Sequence, residues 1–190
     1  HHAPEFIYVI SGEMTYSING RKAILPAGSG IMVNSGHLHF GYSAKRTDAV
    51  FICLIVNPIL LSVNAYFEER YVRPVLENAG LPYLFLSPQQ SWQKEMLDCV
   101  GKIYDLSLSG ERFLEIQQLL LSLWNNLFHH TTSKSFSPKK KNADLLSVKS
   151  MVSFIHQNYA QKVSLTQIAA AGNVCKSKCC TLFKTYLSRT

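Results

Sequence analysis

The sequence predicts a mixed fold, β first and then α: an antiparallel β-domain, a helical hairpin as connector, and a C-terminal segment that forms a helix-turn-helix. Three observations carry this. Up to residue 56 the chain is cut into short runs rich in β-branched and aromatic residues; after Pro58 apolar residues recur at helical spacing; beyond a polar stretch, two helical patterns are separated by little more than a Gly-Asn step.

The β-like runs are EFIYVI (5–10), EMTYSI (13–18), GIMVN (30–34) and AVFICLIV (49–56). Ser11-Gly12 separates the first two. Asn19-Gly20 is a strong hairpin signal, because both residues tolerate the positive φ of a type I′ turn. Pro26-Ala27-Gly28-Ser29-Gly30 marks another turn. Six or so antiparallel strands at this spacing point to a barrel or sandwich over residues 1–60 rather than a parallel sheet.

Residues 61–130 read as a helical connector. A short helix around 65–79 must accommodate Pro74. Ser87-Pro88-Gln89-Gln90 has the pattern of an N-cap, a proline at the first helical position and a capping-box glutamine. The helix it opens is expected to run to about Leu108, with Trp92, Met96, Val100, Ile103 and Leu106 or Ser107 on one face. After Gly110 a second helix, 111–129, carries Phe113, Ile116, Leu120, Leu123 and Leu127, flanked by Leu119 and Trp124. The broad apolar face of this antiparallel hairpin is covered either by a second copy of the chain or by the β-domain. Residues 131–147, Ser/Thr-rich and basic with Pro138 inside, read as a linker.

Leading into the final segment, 148–190, Leu146 with Met151, Phe154 and Ile155 defines a helix ending near Tyr159. Ser164 can cap a second helix that buries Leu165, Ile168 and Ala169. Gly172-Asn173 breaks the pattern, and a third helix begins near Cys175 or Lys176 and buries Cys179, Leu182 and Phe183. Small Ala169 and Ala170 allow close crossing, and Asn173 suits the left-handed conformation of a tight turn. The positions left exposed on the third helix are Lys176, Ser177, Lys178, Cys180, Thr181 and Lys184. Lysines can neutralise phosphates; Ser177 and Thr181 reach base edges only if the helix sits deep in a major groove. The alternative is a helical hairpin with a solvated face.

Charge is distributed unevenly. Residues 139–190 hold nine Lys or Arg and one acid, Asp144, a balance of +8, while the preceding 138 residues sum to −1. A segment so basic attracts a polyanion or serves as a solubilising tail. The longest apolar runs, 50–56 and 119–123, are short of the roughly 20 residues of a spanning helix, and no apolar signal segment opens the chain, so cytoplasmic residence is expected. The odd set Cys53, Cys99, Cys175, Cys179 and Cys180, three of them crowded into six residues, reads as reduced thiols rather than a disulfide framework.

The string SFIHQNYAQKVSLTQIAAAGNVCKSKCCTLFK (153–184) resembles the first half of the DNA-binding domain of the AraC/XylS family, through Ile155-His156, Tyr159, Ser164-Leu165, Ile168-Ala169, the turn, and the closing Leu182-Phe183-Lys184. The resemblance implies a recognition helix that reads bases through Ser177, Cys180 and Thr181. It also implies a second helix-turn-helix beyond Thr190, so that the chain is a fragment, and a homodimer formed through the 88–129 hairpin. The N-terminal half is similar to that family's cupin-like sensor barrel: Glu5 with Gly12 fits the end of the first cupin motif, and Gly30 to His37 or His39 the second. His1, Glu5 and His39 map to three ligands of metal-dependent cupins, although members of this family often lack the metal and bind a small molecule, frequently a sugar.

Two classes of function follow. In the first, a barrel-bound effector contacting Glu5, Tyr8, His37, His39 and Tyr42 biases double-stranded DNA binding by a transcription regulator of carbohydrate-related genes. That set depends on strand register, since a one-residue slip exchanges the two faces. In the second, a metal-dependent cupin enzyme carries an incidental helical tail; the incomplete histidine set and the basic helix-turn-helix count against it. No nucleotide-binding glycine loop or nucleophile motif is present, so neither catalysis nor a cofactor is expected. A thiol sensor or soft-metal site at Cys175, Cys179 and Cys180 is a third reading, opposed by the burial expected of Cys179.

Overall fold

The computed structural model describes residues 3–43, 48–132 and 143–187. Expectations for His1 and for most of the 131–147 linker lie outside the described residues. The chain divides into two compact units, one drawn from residues 1–16, 23–36 and 41–139, the other from 17–22, 37–40 and 140–190.

Strands β1 (Glu5–Ser11), β2 (Glu13–Ile18), β3 (Arg21–Pro26), β4 (Gly30–Val33), β5 (His39–Tyr42), β6 (Val50–Ile55) and β7 (Tyr83–Leu86) form two sheets, of order β6-β1-β4-β7 and β3-β2-β5. In the larger sheet β1 runs antiparallel to β4, from Glu5 opposite Val33 to Tyr8 opposite Gly30, and to β6, from Glu5 opposite Ile55 to Val9 opposite Phe51. The predicted β2–β3 turn is present: Asn19 and Gly20 both have positive φ, 49° and 85°.

One face of the larger sheet meets the helices. Phe6, Met32 and Leu86 are buried against Met96, Leu97, Val100 and Ile103 of α3 (Ser91–Leu108) and Leu120, Leu123, Trp124 and Leu127 of α4 (Phe113–Thr131). Burial of that many large side chains, at about 1.5–3 kcal/mol each, makes this interface the main stabilising layer of the unit. The short helix around Pro74 is three pieces, with a π turn (Glu68–Val72) between α1 (Ala65–Phe67) and α2 (Arg73–Leu76). Proline has no N–H for the preceding turn, and the helix widens there: the Arg73 N–H reaches back five residues to the Glu68 carbonyl.

Several expectations are corrected. Ser87 does not cap α3. Its N–H donates to Gln93 Oε1 at 2.8 Å and its carbonyl accepts from Gln90 N–H, so 87–90 is a turn and Gln90 takes the N-cap position. Tyr83–Leu86, within the stretch read as helical, is a strand because it pairs with distant β4, Gly30 opposite Leu86. Phe113, expected on the packed face, is 76% exposed, since it precedes the packed stretch of α4 that begins at Ile116.

The second unit holds α5 (Ala143–Asn158), α6 (Leu165–Ala171) and α7 (Lys176–Leu187) around Val148, Met151, Ala169, Cys179 and Leu182. Leu146 and Leu165, expected inside, are exposed. Leu146 lies two residues before Val148, about 200° round the helix. Ala170 is likewise exposed; Ala169 alone lies in the crossing.

Candidate functional site

The C-terminal site is built from its turn outward. Ser164 Oγ accepts from the Gln167 N–H and Gln167 Oε1 accepts from the Ser164 N–H at 2.9 Å, a full capping box that sets where α6 begins. At its other end the chain reverses through Gly172 and Asn173. A Cβ on Gly172 would stand 2.6 Å from Met151 Cγ and 3.0 Å from the Ser147 carbonyl, so only glycine lets the turn lie this close to α5. Asn173 has φ 53°, the left-handed conformation expected of it, and its N–H donates to the Ala170 carbonyl.

On α7, Cys179 and Leu182 point into the core and Phe183 packs against it. Ser177, Thr181 and Lys184 recur at i, i+4 and i+7 on the opposite, exposed side, with Cys180 beside them. The Thr181 hydroxyl donates to the Ser177 carbonyl at 3.0 Å. Lys176 is exposed on one flank of this stripe. Lys178 lies on the other, with Nζ 2.9 Å from Asp144 Oδ2 in the first turn of α5. Sequence reasoning placed Lys178 among the outward cations; an ion pair between residues 34 apart leaves no local signal.

Cys175 is exposed whereas Cys179 is buried, and burial pushes the Cys179 thiol up from its ordinary range. This is the pattern of a small core residue. Among the described residues no group of three His, Cys, Asp or Glu could hold a metal ion.

In the β-domain the residues chosen from sequence separate. Glu5 is buried on one face of β1 and Tyr16 Oη donates to its Oε1 at 2.5 Å. Cys53 stands opposite Ile7, on the same face of the sheet as Glu5. Desolvation, reinforced by the Glu5 hydrogen bond and charge, raises the Tyr16 phenol; desolvation and then Glu5 push the Cys53 thiol up to about 11. Both therefore stay protonated donors at neutral pH. Tyr16 and Cys53 were missed, although the alternation of Met14, Tyr16 and Ile18 carried the signal for Tyr16.

Tyr8 is corrected: it packs on the helical core, its Cε1 in reach of Gly101 on α3, on the face of β1 opposite Glu5. His37 Nδ1 lies 2.8 Å from Asn19 Nδ2, and His39 Nδ1 lies 2.9 Å from the His37 carbonyl. Tyr42 is half-buried on β5. Of the three residues mapped to metal ligands, Glu5 and His39 thus have protein partners, and His1 is outside the described residues.

The described residues thus comprise a two-sheet β-domain with a packed helical hairpin in one unit, and in the other a helix-turn-helix whose second helix shows a polar, basic stripe. Residues 1–55 match the family described as "Cupin domain". The whole chain is 34% identical, over 197 residues, to the uncharacterized HTH-type transcriptional regulator YdeC of Bacillus subtilis (strain 168). The alignment takes in 100% of this chain and 65% of that protein, so the chain spans just under two thirds of its relative's length. Residues 1–55 are thus similar to a cupin domain and the whole chain to an HTH-type transcriptional regulator, in line with the resemblance drawn from residues 153–184.

Among solved structures, similar chains include the AraC-like transcriptional activator CuxR, at 15% identity and a TM-score of 0.49 over 96% of this chain and 60% of that one. An apo variant of ToxT from Vibrio cholerae strain SCE256 matches at 9% identity and a TM-score of 0.49, over 97% and 67%. No helix among the described residues is long and apolar enough to cross a membrane.

Proposed function

We propose that the chain is the effector-sensing part and the first DNA-reading part of a sequence-specific, ligand-responsive transcription regulator of the AraC type. The observation that carries this reading is the pairing of the Gly172-Asn173 turn with the outward stripe of Ser177, Thr181 and Lys184 on α7, in a chain homologous throughout to an HTH-type regulator. A helix held this way presents short hydrogen-bonding side chains to base edges and a cation to phosphate.

The effector site lies in the β-domain, where Glu5, Tyr16 and Cys53 replace Tyr8 in the set expected from sequence and Tyr42 of the same unit remains a candidate; His37 and His39 belong to the other unit. The buried carboxylate favours a neutral ligand rich in hydroxyl donors, as a sugar is. The protein acts as a cytoplasmic homodimer, joined through the exposed end of the hairpin at Leu108, Phe113 and Leu114, and it is not an enzyme. Residues 1–60, 61–130 and 148–190 serve as sensor, connector and reader.

The test is fluorescence anisotropy of the full-length protein on duplexes from the region upstream of its own gene and on scrambled controls, across a salt series. Preferential, salt-sensitive binding weakened by Thr181→Ala and Lys184→Ala is expected. Equal affinity for operator and scrambled duplexes would overturn the reading.

A further inference from the structure

Residues 139–190 contain a single carboxylate among nine Lys and Arg. That carboxylate, Asp144, makes an ion pair with the first turn of α7: Lys178 Nζ stands 2.9 Å from Asp144 Oδ2, with both side chains about half exposed. Were the acid only a solvated residue in a basic segment, it would have no reason to meet the reading helix. Asp144 also sits in the first turn of α5, where the helix dipole favours a negative charge. The pair thus joins the starts of two helices, α5 and α7, whose packing otherwise rests on a few apolar side chains.

We infer that Asp144 is a specificity determinant and Lys178 a positioning residue: Asp144 neutralises Lys178 and holds it to the flank of α7, so that Lys178 does not bind phosphate. The inference rests on the DNA-binding reading given above. Its physical content is a subtraction. Non-specific affinity for DNA is set by the number of phosphates a protein neutralises, whereas base contacts give sequence preference. Neutralising one cation beside the reading stripe lowers affinity for every sequence alike. Ser177 and Thr181, which reach bases only when the helix is seated deeply, then decide between sequences. Fixing the start of α7 against α5 sets the angle at which that stripe is presented.

The experiment uses the full-length protein on operator and scrambled duplexes over a salt series, comparing the parent with Asp144→Asn, Lys178→Met and Lys178→Arg, each first checked for native helical content by circular dichroism. Asp144→Asn frees a cation, so the slope of log affinity against log salt steepens by about one, and scrambled-duplex affinity rises by about 3- to 10-fold at low salt, eroding preference for the operator. Lys178→Met leaves the slope unchanged while lowering operator preference, and Lys178→Arg restores it. A slope shallower by about one in Lys178→Met would make Lys178 an ordinary phosphate contact and overturn the inference while leaving the DNA-binding reading intact. If the parent itself shows no operator preference, both fall together.

Discussion

The phenolic hydroxyl of Tyr16 on β2 donates to Oε1 of Glu5 on β1 at 2.5 Å, a hydrogen bond that links the two sheets within their shared interior. Both residues are almost wholly buried. Tyr16→Phe removes the donor and leaves the carboxylate oxygen without it, at a cost of about 1–3 kcal/mol. Glu5→Gln keeps an acceptor and costs less. Urea denaturation of the two variants checks this ordering; a Tyr16→Phe protein as stable as the parent would show that the bond contributes nothing.

The Cys53 thiol, pushed up to about 11 from 9.0, carries about 100-fold less thiolate at pH 8 than an ordinary thiol. Iodoacetamide mapped by mass spectrometry should therefore label Cys53 after the other exposed thiols, Cys175 and Cys180, and Glu5→Gln should speed it. A raised pKa means the folded state favours the protonated thiol. The resulting stability is present in full below about pH 9 and is lost as pH rises through about 11. Alkylation of Cys53 at the rate of Cys180 would contradict the assignment.

In the helix-turn-helix, Gly172→Ala forces a methyl group into Met151 and the Ser147 carbonyl and should cost about 1–3 kcal/mol. Asn173→Gly is close to neutral, whereas Asn173→Val puts a β-branched residue at φ 53° and costs about 1–2 kcal/mol. Ser164→Ala removes the capping-box acceptor for about 1 kcal/mol. Thermal melts followed by circular dichroism rank the four; a neutral Gly172→Ala would mean that α5 can withdraw from the turn at no cost.

Asn34, at the end of β4 and buried, donates through Nδ2 to the Val75 carbonyl at 2.7 Å and to the Leu81 carbonyl at 3.0 Å, while its Oδ1 accepts from the Ser35 N–H. Asn34→Leu takes the donor from the Leu81 carbonyl and the acceptor from the Ser35 N–H, while the Val75 carbonyl keeps the Asn78 N–H, and is expected to lower the midpoint of denaturation, at a cost of about 2–4 kcal/mol. Asn34→Asp, which keeps the shape and loses both donors, should be nearly as damaging. Parent-like stability in either variant would sink this account.

Local chemistry was legible and long-range pairing was not. The Asn19-Gly20 and Gly172-Asn173 turns follow from the few residues that tolerate positive φ, and the buried residues of α3 and α4 follow from their spacing. By contrast, YLFL at 83–86 is apolar throughout and shows neither strand nor helix period; only its partner β4, which pairs Val33 with Tyr83 and Gly30 with Leu86, makes it a strand. Tyr8 was placed on the wrong face because β1 is apolar on both faces, one meeting helices and the other the second sheet. In the candidate reading surface, exposure was predicted for all six residues of α7, but the Asp144 partner of Lys178 was invisible, since nothing in a sequence 34 residues apart fixes the approach of two helix starts.

Among the described residues, the hydrophobic core of the helix-turn-helix unit has five buried members, of which Met151 and Cys179 carry sulfur. So small an assembly opens locally more readily than the sheet-and-helix layer. Each opening bares the Met151 thioether to peroxide, and the sulfoxide, being polar, does not fit back against Gly172. Oxidative damage to this protein is therefore self-selecting: it strikes while this unit is open and keeps it from closing.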